Sequence, residues 1–192
     1  MTDYPAHFDK LYGARPDPWD YATSPYEAGK YDATLAALTR PRYAAALEAG
    51  CSIGVLSARL APRCDILSAL DFSAAAVTQA EARLHPFPGA CASRATLPGD
   101  WPKGRYDLIM LSEMIYYLTS KEIVILALRI ARDTVPGGEC VLVHWQGNTQ
   151  TTVSPDLARD IFCATLTMLR DVTLTDHVTT GEYNHRTILF GT

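Results

Sequence analysis

The chain has 192 residues, 48% apolar and 20% charged, with a net charge of −4. That balance suits one folded domain with a full hydrophobic core and excludes a disordered chain. It contains no basic block, no apolar run long enough to span a bilayer and no basic-then-apolar leader, so no nucleic-acid interface, membrane span or signal peptide is expected. The five cysteines are scattered without C-x-x-C spacing, which predicts reduced thiols in a cytoplasmic protein and no structural metal.

Residues 1–23 are rich in aromatics and prolines. Phe8–Tyr12 suits a short helical turn and Pro16–Trp19 an irregular loop. Ser24-Pro25-Tyr26-Glu27 reads as a helix start, with Ser24 as N-cap, Pro25 at the first position and Glu27 completing a capping box. This helix should run to about Leu38 and stop before Pro41. Residues 1–41 are therefore expected to form a cap or lid on a core of residues 42–192, all within a single domain.

From Arg42 strands and helices alternate. The expected order is a strand ending near Glu48, helix Val55–Ala61, strand Ile66–Leu70, helix Ser73–Leu84, a weak strand at Ala90–Arg94 and the apolar strand Tyr106–Leu111. A capping box of Thr119 and Glu122 opens helix Ser120–Thr134. Val135-Pro136-Gly137-Gly138 ends it, and a strand Glu139–His144 follows. Ser154-Pro155 starts a last helix to Leu169, and strands near Val172–Asp176 and Tyr183–Phe190 should pair antiparallel at one edge. Such alternation implies a mostly parallel sheet with right-handed crossovers.

The stretch Glu48–Gly54 (EAGCSIG) is an apolar strand end, a glycine turn and a helix start. Glycines there let the backbone approach a ligand, and free N–H groups at a helix start can face a polar group. Asp71 lies 21 residues after Gly50, at the end of the next apolar run. A carboxylate so placed in an open α/β sheet can bind both hydroxyls of a ribose.

These motifs resemble class I S-adenosylmethionine (SAM)-dependent methyltransferases and, more narrowly, the rhizobial nodulation methyltransferase (NodS) family. Glu48–Gly54 is similar to the family's first motif, Asp71 to its ribose-binding acid, Tyr106–Ile109 with Ser112-Glu113 to its fourth-strand motif, and Pro136-Gly137-Gly138 to the turn before its fifth strand. Asp17-Pro18-Trp19 and Ser24–Glu27 resemble its N-terminal cap. The resemblance implies a Rossmann-like α/β sandwich with a seven-stranded sheet, an antiparallel C-terminal hairpin and a helical cap. It also implies SAM as methyl donor, S-adenosylhomocysteine (SAH) as product and no metal. The implied acceptor is an amino sugar, an oligosaccharide or another small-molecule amine; the oligomeric state is not legible.

On the cofactor side the resemblance implies that Gly50, Cys51, Ser52 and Gly54 wrap the methionine and sugar parts. Asp71 would take the ribose, Phe72, Thr96 and Leu97 would flank the adenine, and Ser112 would face the methionyl end. Two positions depart from the commonest pattern. Ser52 replaces a glycine and preserves the backbone approach if its φ stays negative; Thr96 stands where an Asp often accepts from the adenine amino group.

Glu113 follows an apolar strand at the carboxyl edge, where it can orient an amine or remove its proton, or else pair with a lid cation. Tyr116 can line the pocket or pack in the core. His144 is a second candidate base, with local satisfaction as the alternative. Trp19 and Tyr26 either close over the site or anchor the arm. Lys30 either pairs with the methionine carboxylate or lies on a solvated helix face. A small-molecule O-methyltransferase and a non-catalytic SAM-fold binding protein remain open. So does a nicotinamide oxidoreductase, from the Tyr26-x-x-x-Lys30 pair, although that pair lies before the glycine turn rather than after it.

Overall fold

Alternate residues of the central strands supply two different cores. A computed structural model describes residues 4–147, 151, 153–180 and 183–192. In β1 (Tyr43–Ala49), Leu47 and Ala49 join one apolar cluster and Tyr43 and Ala46 the other. The same alternation continues in β4 (Tyr106–Ser112), where Ile109 and Leu111 face one way and Leu108 and Met110 the other. Strands apolar on both faces need helices on both, which is why they sit in the middle of the sheet.

The sheet has seven strands in the order β3-β2-β1-β4-β5-β7-β6. The remaining strands are β2 (Cys64–Asp71), β3 (Ala90–Arg94), β5 (Thr134–Trp145), β6 (Val172–Thr180) and β7 (Tyr183–Phe190). β7 is antiparallel to both β5 and β6, so the C-terminal hairpin forms one edge, with β6 outermost. α3 (Val55–Leu60) and α4 (Ala74–Leu84) pack on one face. α5 (Ser120–Asp133) and α6 (Pro155–Leu169) pack against each other on the opposite face. Among the described residues, no helix is long and apolar enough to cross a membrane.

The local signals place these helices correctly. Ser73 and Ser154 accept N-cap bonds from Ala76 and Leu157, and Thr119 with Glu122 forms a complete capping box. Three expectations change. The N-terminal turn is a helix of 11 residues, α1 (Tyr4–Ala14), held by aromatic packing of Phe8 against Phe72 and Tyr117 rather than by its own periodicity. In α2 (Pro25–Ala36) the Glu27 N–H donates to Ser24 Oγ, but the Glu27 carboxylate pairs with Lys30 instead of returning to the helix start. The Pro-Gly-Gly segment lies inside β5: pairing passes from Tyr106↔Thr134 to Leu108↔Glu139, so Val135–Gly138 bulges where a turn was expected.

Candidate active site

β1 lies between β2 and β4, so the chain leaves the sheet in opposite directions on either side of it. A cleft opens at the carboxyl ends of such neighbouring strands. Here it has a volume of about 1020 Å³ and is bordered by Gly50 after β1, Asp71 ending β2, Ser112 ending β4 and Glu113 after it. α1 and α2 cover it, contributing Tyr12, Tyr26, Glu27 and Lys30 to its walls.

Asp71 turns into this cleft. Its Oδ2 accepts the Ser52 N–H and its Oδ1 the Ser73 N–H, both at 2.9 Å. Burial pushes its carboxyl above the usual range, while the N–H groups of Ser73, Ser52 and Phe72 oppose that shift. A carboxylate offers about four lone-pair positions, so these N–H groups leave acceptor capacity on Asp71.

The glycine turn is built differently from the expectation. The Gly50 and Cys51 N–H groups both donate to Leu70 O, and the Gly54 N–H donates to Cys51 O. With the Ser52 N–H on Asp71, these four donors are consumed within the protein, so the turn offers a ligand close backbone surface rather than a donor nest. Gly50, Ser52 and Gly54 all have positive φ, at 81°, 49° and 77°. The condition of a negative φ at Ser52 is therefore not met; the Ser adopts a left-handed conformation, and its Oγ shares a hydrogen bond with the Tyr12 hydroxyl of the cap.

Among the expected cofactor contacts, Gly50, Ser52, Asp71, Phe72, Thr96, Leu97 and Ser112 line the cleft. Cys51 and Gly54 do not. Cys51 is buried, lining a small recess under α2 that shares Gly50, Ser52, Ser112 and Glu113 with the cleft, and burial pushes its thiol well above the ordinary value. Gly54 packs on α4, where a Cβ would lie 2.9 Å from Ala80. Thr96 is exposed, and its N–H donates to Asp100 Oδ2 at 2.9 Å.

On the acceptor side, Glu113 sits in a left-handed conformation with φ 57°. Its Oε1 accepts from Lys30 Nζ at 3.1 Å. Its Oε2 accepts from the Tyr116 hydroxyl at 2.8 Å and the Trp145 N–H at 2.7 Å. Burial and the neighbouring Glu113 charge push the Tyr116 hydroxyl far above the ordinary tyrosine range, so it serves as a donor. Lys30 does not lie on a solvated face: it is 5% exposed, borders the cleft and bridges Glu27 and Glu113. His144 is not in the cleft. It is 1% exposed, its Nε2 has no hydrogen-bond partner, and burial followed by the charges of Arg159 and Arg186 pulls its imidazole down to about 3. It shares the face of β5 that carries Cys140 and Leu142, turned toward α5 and α6.

Sequence reasoning missed Glu27 and Trp145 as cleft residues. Glu27 was masked by its helix-start role, and the Trp145 N–H had no motif to mark it. Trp19 stacks in a cluster with Phe8, Tyr12 and Tyr21 and still borders the cleft, combining the two roles weighed for it.

A sheet of this strand order, with a glycine turn after β1 and an acid ending β2, has the class I SAM-dependent methyltransferase fold. Solved structures share it: the N-methyltransferase NodS from Bradyrhizobium japonicum in complex with SAH gives a TM-score of 0.78 at 17% identity, covering 98% of this chain and 99% of that one. A structure from Pseudomonas syringae assigned as a methyltransferase is 34% identical, with a TM-score of 0.72, covering 85% of this chain and 98% of that one. A family profile described as Nodulation protein S (NodS) matches residues 9–143, and the chain belongs to that family. Nodulation protein S of Rhizobium tropici is 28% identical over 67% of this chain and 55% of its own length. Its counterpart in Bradyrhizobium diazoefficiens is 31% identical over 53% and 49%. The chain thus spans about half the length of the curated relatives it matches.

Proposed function

We propose that this chain is a SAM-dependent methyltransferase that methylates the amino group of a small acceptor, with an amino sugar or glucosamine-bearing oligosaccharide as the favoured class. The observation that carries the reading is the charge of the cleft. Among the described residues, its walls hold four carboxylates, Glu27, Asp71, Glu113 and Glu122, against the single ammonium of Lys30. Aromatic rings of both cap helices surround them. Such a site attracts cations and amines and disfavours anionic acceptors.

The residues present fit the donor. Asp71 has acceptor capacity left for the ribose hydroxyls, Phe72 and Leu97 offer apolar faces for the adenine, and Gly50 lets the methionyl chain lie close to the backbone. SAM supplies a methyl group on a positively charged sulfur, so its transfer requires positioning more than activation. The protein's part is then to hold the acceptor nitrogen in line and exclude water, which the cap helices favour. Glu113 accepts an N–H of the acceptor and so directs the nitrogen lone pair toward the donor. The family, and the N-methyltransferase named among the neighbouring structures, support the same acceptor chemistry.

The test is calorimetry with SAH followed by transfer of labelled methyl from SAM to a glucosamine oligosaccharide with a free amino group and to its N-acetylated form. Binding of SAH and label on the free amine alone are expected. Label on a hydroxyl would make the protein an O-methyltransferase, and failure to bind SAH would remove the cofactor assignment.

A further inference from the structure

Among the described residues, Lys30 is the one cation in the cleft walls, and nearly all of it is buried. Its Nζ lies 3.0 Å from Glu27 Oε1, 3.1 Å from Glu113 Oε1 and 5.5 Å from the centre of the Tyr26 ring. Glu27 and Lys30 belong to the cap helix α2, whereas Glu113 follows β4, 83 residues later. The ammonium is thus the link between the cap and the acceptor side of the cleft.

The geometry points to Lys30 as a positioning residue: clamped between two carboxylates, it holds the Glu113 side chain aimed at the acceptor, and ties that alignment to the docking of α2. The inference rests on the reading of Glu113 as the acceptor-side residue. Three observations carry it. Glu113 keeps a left-handed backbone, which a non-glycine residue holds only when its surroundings over-determine it. Lys30 occupies Oε1, while Tyr116 and Trp145 occupy Oε2, which fixes the plane of the carboxylate. Burial opposes the charge of Lys30, yet Glu113 and Glu27 together raise its ammonium above the ordinary lysine range.

Without Lys30, two carboxylates that meet at one nitrogen would face each other uncompensated. Each would then disfavour the charge of the other, which Lys30 offsets while it stands between them. The other groups facing Glu113 are Tyr21 from the loop before α2, Tyr116 and Tyr117 from the turn after β4, and the Trp145 N–H of β5. None of these supplies a positive charge.

The test compares Lys30→Met, Lys30→Arg and Lys30→Met/Glu27→Gln. Lys30→Met is expected to bind SAH as the parent does but to turn over about ten- to a hundredfold more slowly, as for a misaligned reacting group. The acid limb of its kcat profile should move to higher pH. Lys30→Arg should restore both. In the double variant the limb should return downward, because one carboxylate is left without a rival. A parental pH profile and turnover in Lys30→Met, or loss of SAH binding, would overturn the role.

A second readout is independent of turnover: the carboxyl ¹³C titration of Glu113, identified by its loss in Glu113→Gln. It should shift upward in Lys30→Met whether or not an acceptor is known, and an unmoved signal would overturn the role. If no acceptor is methylated by the unaltered protein, the proposed function fails while this titration still decides the pairing.

Discussion

Asp71 Oδ2 accepts the backbone N–H of Ser52 at 2.9 Å, so the acid that ends β2 is fastened to the glycine turn that follows β1. This bond and those of the Gly50 and Cys51 N–H groups to Leu70 O hold the two sides of the cofactor region together. Asp71→Asn keeps the shape but removes the charge, and bonds to a charged acceptor contribute about 1.5–3 kcal/mol each. SAH affinity should therefore fall by roughly ten- to a hundredfold in calorimetry. An unchanged affinity would remove Asp71 from the site.

Neighbouring left-handed positions should respond differently to substitution. Gly54→Ala adds a Cβ at 2.9 Å from Ala80 on a backbone with φ 77°. It should cost on the order of 2–4 kcal/mol in denaturant unfolding, combining strain with overpacking. Ser52→Gly relieves about 1 kcal/mol of left-handed strain and loses the Tyr12 bond, of similar size, so it should stay near parental stability. Tyr12→Phe breaks that bond without the relief and should be the less stable of the two.

Glu48 and His144 bend the pH profile of stability in opposite senses. Burial pushes Glu48 from 4.5 up to about 7, so its contribution is present below pH 4.5 and lost as pH rises through 7. Burial pulls His144 from 6.5 down to about 3, so its contribution is present above pH 6.5 and lost as pH falls through 3. Between pH 4.5 and 6.5 the two slopes oppose each other. Relative to the parent, Glu48→Gln should make stability rise more steeply with pH there, by up to about 1.4 kcal/mol per pH unit, and His144→Phe should make it rise less or fall. Chemical denaturation across pH 4–8 reads both signs, and equal slopes in all three proteins would contradict the burial of these groups.

Glu113→Gln tests the acceptor side separately. The amide accepts less strongly and returns an N–H toward Lys30, so turnover should drop by about a hundredfold or more if Glu113 acts on the acceptor proton, and SAH binding should change little. Abolished SAH binding would move Glu113 to the cofactor side.

Much of the fold was legible because its determinants are local. Helix starts at Ser73, Thr119 and Ser154 depend on side chains reaching N–H groups three residues on, and strand alternation depends on a period of two. The same locality misled at Glu27, whose position matched a capping box while its carboxylate turned to Lys30. It misled again at Val135–Gly138, where turn residues form a bulge because Asp107 alone stands opposite them.

By itself, the amino-acid sequence determined the strand–helix alternation, the glycine turn, and the spacing that brings Asp71 to that turn, since each follows from residues close along the chain. Only the tertiary structure decided which of these groups meet. The turn's N–H groups go to Leu70 and Asp71, His144 packs outside the cleft, and Lys30 closes on Glu113. The reason is physical: periodicity states which face a residue takes, but a pairing between chain-distant side chains exists only after the cap has docked and excluded the water that would otherwise satisfy them.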